Sequence, residues 1–302
     1  MATYLGSALC DNSTLANFIA WAQPISTALG TTAGWLQSSD TGQVNWNTIS
    51  APPGSAAYVY EVWQPNDGLA NFYLKIEYGN FTGTNSPTVR LTIGTVTNGA
   101  GTLIGSVVGP FTTNLGSIPT STSTPYECRF SGAPGRFHAM LWRLSGLSTQ
   151  FFSVERSVNS AGTYTSTHVT LITAGGTTPS GGAQNSVNQQ TLHLTLGPAP
   201  AQSIANNGAI GGLAARLFYP GNTTSSGVFN GSAGFDTVSP YVGYFDWPLT
   251  GVGLGNENTY TEGMVFTTTL YGATRTYITT LSGRLANCGA LGSASSLCMR
   301  YD

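Results

Sequence analysis

Charge is what this chain has least of. Its 302 residues include 10 basic and 12 acidic side chains, 7 % of the total, where an ordinary soluble domain carries about 25 %. The formal net charge is −2, so there is no surplus of Lys or Arg to neutralise phosphates, and nucleic acid is excluded as a partner. No apolar run reaches the ~18 residues of a spanning helix, so no membrane partner is expected. The opening MATYLGSALC lacks the charged n-region of a secretory signal, and the expectation is synthesis in a cytoplasm without export by the usual route. Four cysteines, Cys10, Cys128, Cys288 and Cys298, form no C-x-x-C pair and have no histidine at ligand spacing. Buried thiols are expected, with Cys288–Cys298 able to close a short loop in an oxidising setting.

Low charge does not mean disorder here. The chain has 13 Phe, 14 Tyr and 6 Trp, and 40 % of it is apolar, whereas disorder needs low hydrophobicity with high net charge. Its length suffices for one large β domain or two smaller ones. Lys75 is the sole lysine beside nine arginines. Lysine is depleted and arginine enriched at protein–protein interfaces, so the imbalance points to a surface covered by partners.

Residues 12–29 read as the one long helix, with Leu15, Phe18, Ile19 and Ala22 on one face. Asn12 or Ser13 would cap it, Gly30 would stop it, and Pro24 would kink or split it. Trp35 and Trp46 follow among turn residues. From about residue 56 the period changes to two. Phe72, Leu74, Ile76 and Tyr78 share one face against Tyr73, Lys75 and Glu77, and Val89, Leu91 and Ile93 alternate with Arg90 and Thr92. Asn98-Gly99 marks a hairpin-type turn before a strand at 102–108. Five later segments repeat the alternation: RFHAMLWRL, FFSVERSV, YTSTHVTLIT, TLHLTLG and TEGMVFTTTLYG, with TRTYITTL after them. The pattern predicts a mainly β, antiparallel sandwich or jelly-roll-like fold with a short N-terminal helical segment. Three segments are expected: 1–50 as helix and attachment unit, 51–174 as a β-sandwich region, and 175–302 as a second β region, in the same or a separate domain. The low-complexity stretches 109–125 and 174–188 are linkers or long loops.

Candidate chemistry is sparse. His138, His168 and His193 sit in predicted strands without a metal partner at ligand spacing, although His168 and His193 could meet across a sheet. A structural role is expected for all three. No G-x-S-x-G elbow supports a serine nucleophile. Glycan cleavage would need paired carboxylates, and Asp236/Asp246 and Glu257/Glu262 are the pairs available, in aromatic surroundings. Turn-capping and loop roles explain them more simply. GVGLG at 251–255 lacks the lysine of a phosphate loop, and Asn66-Asp67-Gly68 is a tight turn rather than a calcium loop. No catalytic residue, metal or cofactor is assigned. Two non-catalytic sets remain: Phe18, Trp21, Trp35 and Trp46 as assembly anchors, and Tyr241, Tyr244, Trp247 and Tyr260 as a sugar-stacking platform.

Five segments resemble a group of virion proteins of tailed bacteriophages: ANFIAWAQPISTALGTTAGWLQSSDTGQVNW, YEVWQPND, FYLKIEYG, TIGTVTNGAGTLIG and YVGYFDWPLTGVG. The resemblance is densest over residues 14–105. It implies a particle-associated, non-enzymatic structural protein of the tail, baseplate or fibre, located in the virion and contacting other virion proteins. No catalytic residue carries over. A homo-oligomer is expected, with a trimer as the first choice. The alternatives are a receptor-binding adhesin or lectin for host surface glycans and a capsid decoration protein.

Overall fold

The computed structural model describes residues 2–8, 11–80, 87–114, 126–143, 148–177, 190–195, 204–207, 235–237, 241–242, 245–246, 249–256, 263–281 and 295–302. A strand the alternation did not reveal opens the chain. β1 (Ala2–Ala8) precedes the helix α1 (Leu15–Thr31) and pairs with a strand more than a hundred residues away. The helix is one continuous element across Pro24, so the expected split is absent. Its N-cap is Thr14, whose side chain accepts from the Asn17 N–H, rather than Asn12 or Ser13. Gly30 lies inside the last turn, and the helix ends at Thr31. Asn12 and Asp11 act one step earlier. Asn12 bonds Gly79 and Asn80 and accepts from the Trp21 indole, while Asp11 accepts from Ser13 and Asn17.

The rest is antiparallel β, mainly meandering and sandwich-like, as the period of two requires. Sheet B runs in chain order through β2 (Leu36–Gln37), β3 (Tyr58–Gln64), β4 (Tyr73–Asn80), β5 (Pro87–Thr97) and β6 (Leu103–Asn114). Sheet A adds β1 to the edge of β7 (Tyr126–Ala133), β8 (Arg136–Arg143), β9 (Ser148–Val158), β10 (Tyr164–Thr177), β11 (Gln190–Thr195) and β12 (Ile204–Asn207). Sheet C has the order β13-β16-β19-β18-β17, from β13 (Phe235–Thr237), β16 (Val252–Asn256), β17 (Val265–Leu270), β18 (Ala273–Leu281) and β19 (Ser295–Arg300). β14 (Tyr241–Val242) and β15 (Phe245–Asp246) form a separate two-stranded ladder. Sheet A draws strands from all three of the segments 1–50, 51–174 and 175–302.

One apolar core lies between sheets A and B and takes in α1. Phe18, Trp21, Ala22, Ile25 and Leu29 come from the helix, Phe72, Leu74, Ile76, Tyr78, Val89, Leu91 and Ile93 from sheet B, and Phe130, Phe137, Ala139, Phe152, Val154 and Leu171 from sheet A. Edge-to-face aromatic pairs tie the layers, with Trp35 5.6 Å from Phe72 and Trp46 5.5 Å from Tyr78. The alternating face of sheet B outside this core is the half-buried polar one the period predicts. There Glu77 accepts both nitrogens of Arg90 and pairs with Lys75 at 3.3 Å, while the two cations lie over Tyr58 and Tyr60. Sheet A departs from this pattern. Its polar alternates Ser131, Arg136, His138, Ser153, Glu155 and Thr170 are all buried as deeply as its apolar ones, because sheet C lies across them.

Candidate functional site

The four aromatic residues expected to anchor an assembly are placed inside the chain's own fold. Phe18 and Trp21 have no exposed surface, Trp35 is 2 % exposed, and Trp46 packs partly buried against the same core. Within the chain they tie the helix and the loop after it to sheet B. Of the sugar-platform set, Tyr241 is paired through its backbone with Asp246 in the β14–β15 ladder. Its side chain, together with Tyr244, Trp247 and Tyr260, lies outside the described residues. The same holds for the carboxyl groups of Asp236, Asp246, Glu257 and Glu262. Cys128 and Cys298 are buried thiols, each pushed up to about 12 by burial first; Cys10 and Cys288 lie outside the described residues. No group of three or more potential metal ligands occurs among the described residues.

His138 and His168 are buried in sheet A, and the side chain of His193 lies outside the described residues. His138 has its Nδ1 2.7 Å from Ser153 Oγ, directly across the β8–β9 pair, and is fully buried. In the β10–β11 register His168 pairs with Thr195 and Thr170 with His193, so the two histidines are not directly opposite. Burial lowers His168 to about 4. The turn at Asn66–Gly68 does more than reverse the chain. Asp67 accepts from Leu69 N–H as a turn residue should, and also takes two nitrogens of Arg156, at 2.5 and 3.1 Å, whose guanidinium lies over Phe72.

Two carboxylates organise the interior, and neither stood out in the sequence. Glu61 Oε1 accepts from Ser26 Oγ at 2.7 Å and Trp46 Nε1 at 2.9 Å; its Oε2 accepts from Tyr78 OH at 3.0 Å and Trp63 Nε1 at 3.3 Å. Burial raises its pKa above the usual carboxylate value against those four hydrogen bonds. Glu155 binds sheet C: Thr250 N–H and Oγ1 donate to Oε1 and Gly251 N–H to Oε2, all at 2.8 Å. Tyr277 OH bonds the Thr250 carbonyl at 2.5 Å, and Arg136 and Arg300 converge on Asp302. These groups are sealed between sheets, with at most 2 % of Arg136, His138, Ser153, Glu155, Thr250 and Tyr277 exposed. Their chemistry is cohesion.

The surface offers a different feature. Among the described residues β17 is the terminal strand of sheet C and hydrogen-bonds β18 on one side, joined to it by a tight turn in which Tyr271 and Gly272 both take positive φ (50° and 73°). Tyr271 rests on the backbone of Gly162 in the β9–β10 turn, where a Cβ would come within 2.7 Å of the Tyr271 Cβ. The stretch from Gly263 to Gly272, GMVFTTTLYG, holds no charge and no proline. Val265 is 50 % exposed, Tyr271 39 % and Met264 37 %, and the strand alternates between exposed and half-buried positions throughout. An edge strand in a free monomer is usually blunted by charge, proline or a bulge. This one carries none of those devices. Neither the protein-family models nor the curated proteins offer a match to this sequence.

Proposed function

We propose that this chain is a non-enzymatic structural component that assembles with copies of itself, and that its place is the virion of a tailed bacteriophage. The uncharged outer edge of β17 is the observation that carries the reading. Among the described residues no strand lies on its outer side, so that edge is a template for another strand, and its exposed Val265 and Met264 add an apolar contact beside that template. The near absence of lysine supports the same view, because a covered surface has no need of a strongly hydrated solubilising residue. So does the interior, where the buried carboxylates among the described residues are occupied by hydrogen bonds that join helix to sheet and sheet to sheet. The virion assignment rests on the resemblance of the five segments at 16–46, 60–67, 72–79, 92–105 and 241–253.

Imaging of intact particles tests the reading. The expected result is density for this chain in the particle, with sheet C continued beyond β17 by a strand of a neighbouring subunit. Absence of the chain from purified particles would overturn the virion assignment. Presence with β17 facing solvent would overturn the mode of assembly.

A further inference from the structure

β17 carries its backbone groups in two sets. The two-residue turn at Tyr271–Gly272 makes Leu270 and Ala273 a bonded pair, and at the strand's other end the Met264 carbonyl accepts from the Thr279 N–H. The even-numbered residues therefore direct N–H and C=O to β18, and those of Val265, Thr267 and Thr269 point away from it. Side chains divide in the same way. Val265, Thr267 and Thr269 are exposed, while Phe266, Thr268 and Leu270 are half-buried on the opposite face, where Phe266 stacks on Tyr277 at 5.8 Å.

The fold leaves few edges that another copy could offer in return. Among the described terminal strands, β2, β13, β14 and β15 have two or three residues each. β6 and β12 run beside each other, and β1 lies against α1. β17, with six residues, is the long edge that remains among the described residues. Charge narrows the choice further. A strand that pairs with its own copy sets each side chain near its own kind, and like charges placed opposite one another repel. An unlike partner can be met with complementary charge; a self-pairing strand has to do without. From Gly263 to Gly272 there is no charged side chain.

We propose that β17 pairs antiparallel with β17 of a second copy about a two-fold axis through Thr268. Two copies of sheet C then join into one sheet, and the assembling unit is a dimer, where a trimer was first expected. This rests on β17 being the assembly edge. Side-chain faces and bonded sets both require odd numbers opposite odd, so the axis passes through a residue rather than between two. At Thr267 it would set Val265 opposite Thr269 and Phe266 opposite Thr268. At Thr268 it sets Thr267 opposite Thr269, Phe266 opposite Leu270, and the exposed Val265 across from the exposed Tyr271. The second register matches hydroxyl with hydroxyl and apolar with apolar, and an axis nearer either end pairs fewer residues. Tyr271 is held ready for that contact. It rests on Gly162, in a turn fastened by Asn159, whose side chain accepts from the Ala161 and Thr163 N–H groups. Little of it remains to be ordered on association.

Cysteine cross-linking reads the axis directly. Thr268 is a non-bonded position on the outer edge, so its two copies on the axis have Cα atoms about 4.5 Å apart, within reach of a disulfide. Thr267 lies on the diagonal from its own copy, roughly 7–8 Å away and too far to bridge. Full chains carrying Thr268→Cys or Thr267→Cys are oxidised with copper–phenanthroline beside the natural chain and resolved on non-reducing gels. The expected result is that most of the Thr268→Cys chain becomes a covalent dimer that reductant reverses, while Thr267→Cys stays at the level of the natural chain. Sedimentation equilibrium of the natural chain needs no variant to fold, and is expected to give twice the mass of one chain. Cross-linking of Thr267→Cys in place of Thr268→Cys, cross-linking of neither, or a natural chain of three subunits would overturn the two-fold at Thr268 and leave β17 as an assembly edge. A natural chain that stays a single subunit would overturn that reading as well.

Discussion

Glu61 accepts a hydrogen bond from the Trp46 indole at 2.9 Å, and through that bond the loop after α1 is fastened to the centre of sheet B. Ser26 brings the helix to the same oxygen, and Trp63 and Tyr78 bind the other. The carboxylate is therefore the hub at which helix, loop and sheet meet. Replacing Glu61 by Ala leaves four buried or part-buried donors without an acceptor, and the expected loss is about 3 kcal/mol or more, measured by urea denaturation followed through tryptophan fluorescence. The sign of the pH dependence is fixed by the raised pKa. The contribution of Glu61 is complete below its ordinary value of 4.5 and declines as the pH climbs through the folded-state value. The gap between the natural chain and Glu61→Ala should accordingly narrow between acid and neutral pH.

Gly251 is required by packing, since its φ is not in the left-handed region that favours glycine. A methyl group there would lie 2.1 Å from His138 Nε2 and 2.6 Å from Glu155 Oε2, both fully buried. Gly251→Ala is expected to cost about 2 kcal/mol or more by overpacking. Gly54, whose position is open and whose φ is ordinary, serves as the control. Gly54→Ala should change the denaturation midpoint little, and equal losses at the two sites would show that sheet C is not seated as described.

Arg156 has no exposed surface and its carboxylate partner is in the turn at Asp67. Truncating Asp67 to Ala strands a buried guanidinium, for which about 3–5 kcal/mol is the expected cost. Arg156→Lys keeps the charge but loses the two-pronged contact and the stacking on Phe72. It should also destabilise, by a smaller amount. Thermal unfolding of the three chains checks the order: natural above Arg156→Lys above Asp67→Ala.

How legible the fold was differs from sheet to sheet for a physical reason. In sheet B one face is core and the other is half-exposed, so Leu74, Ile76 and Tyr78 against Lys75 and Glu77 announce both strand and orientation. In sheet A, Arg136, His138, Ser153 and Glu155 alternate in the same way, and the alternation alone does not distinguish a solvent face from a covered one. Sheet C, whose Thr250 and Gly251 lie about a hundred residues further on, covers them, and a local period cannot report a distant layer. β1 was hidden likewise, because its sole described ladder is with β7. The bonds that Asn12 and Glu61 accept from Trp21 and Trp46 were not legible, since no local pattern shows which acceptor an indole will meet in the fold. The β17 edge was read as a strand. Its exposure depended on sheet order, which the sequence does not display.

Sedimentation of the full chain at neutral pH, beside Thr267→Lys, tests the central claim most directly. Thr267 is exposed at the middle of β17, so a lysine there leaves the fold intact and places a charge at the edge where another subunit would pair. The account predicts that the natural chain sediments as an oligomer and Thr267→Lys as a single subunit with unchanged circular dichroism. A natural chain that stays monomeric at tens of micromolar, or an oligomer that Thr267→Lys leaves untouched, would contradict it.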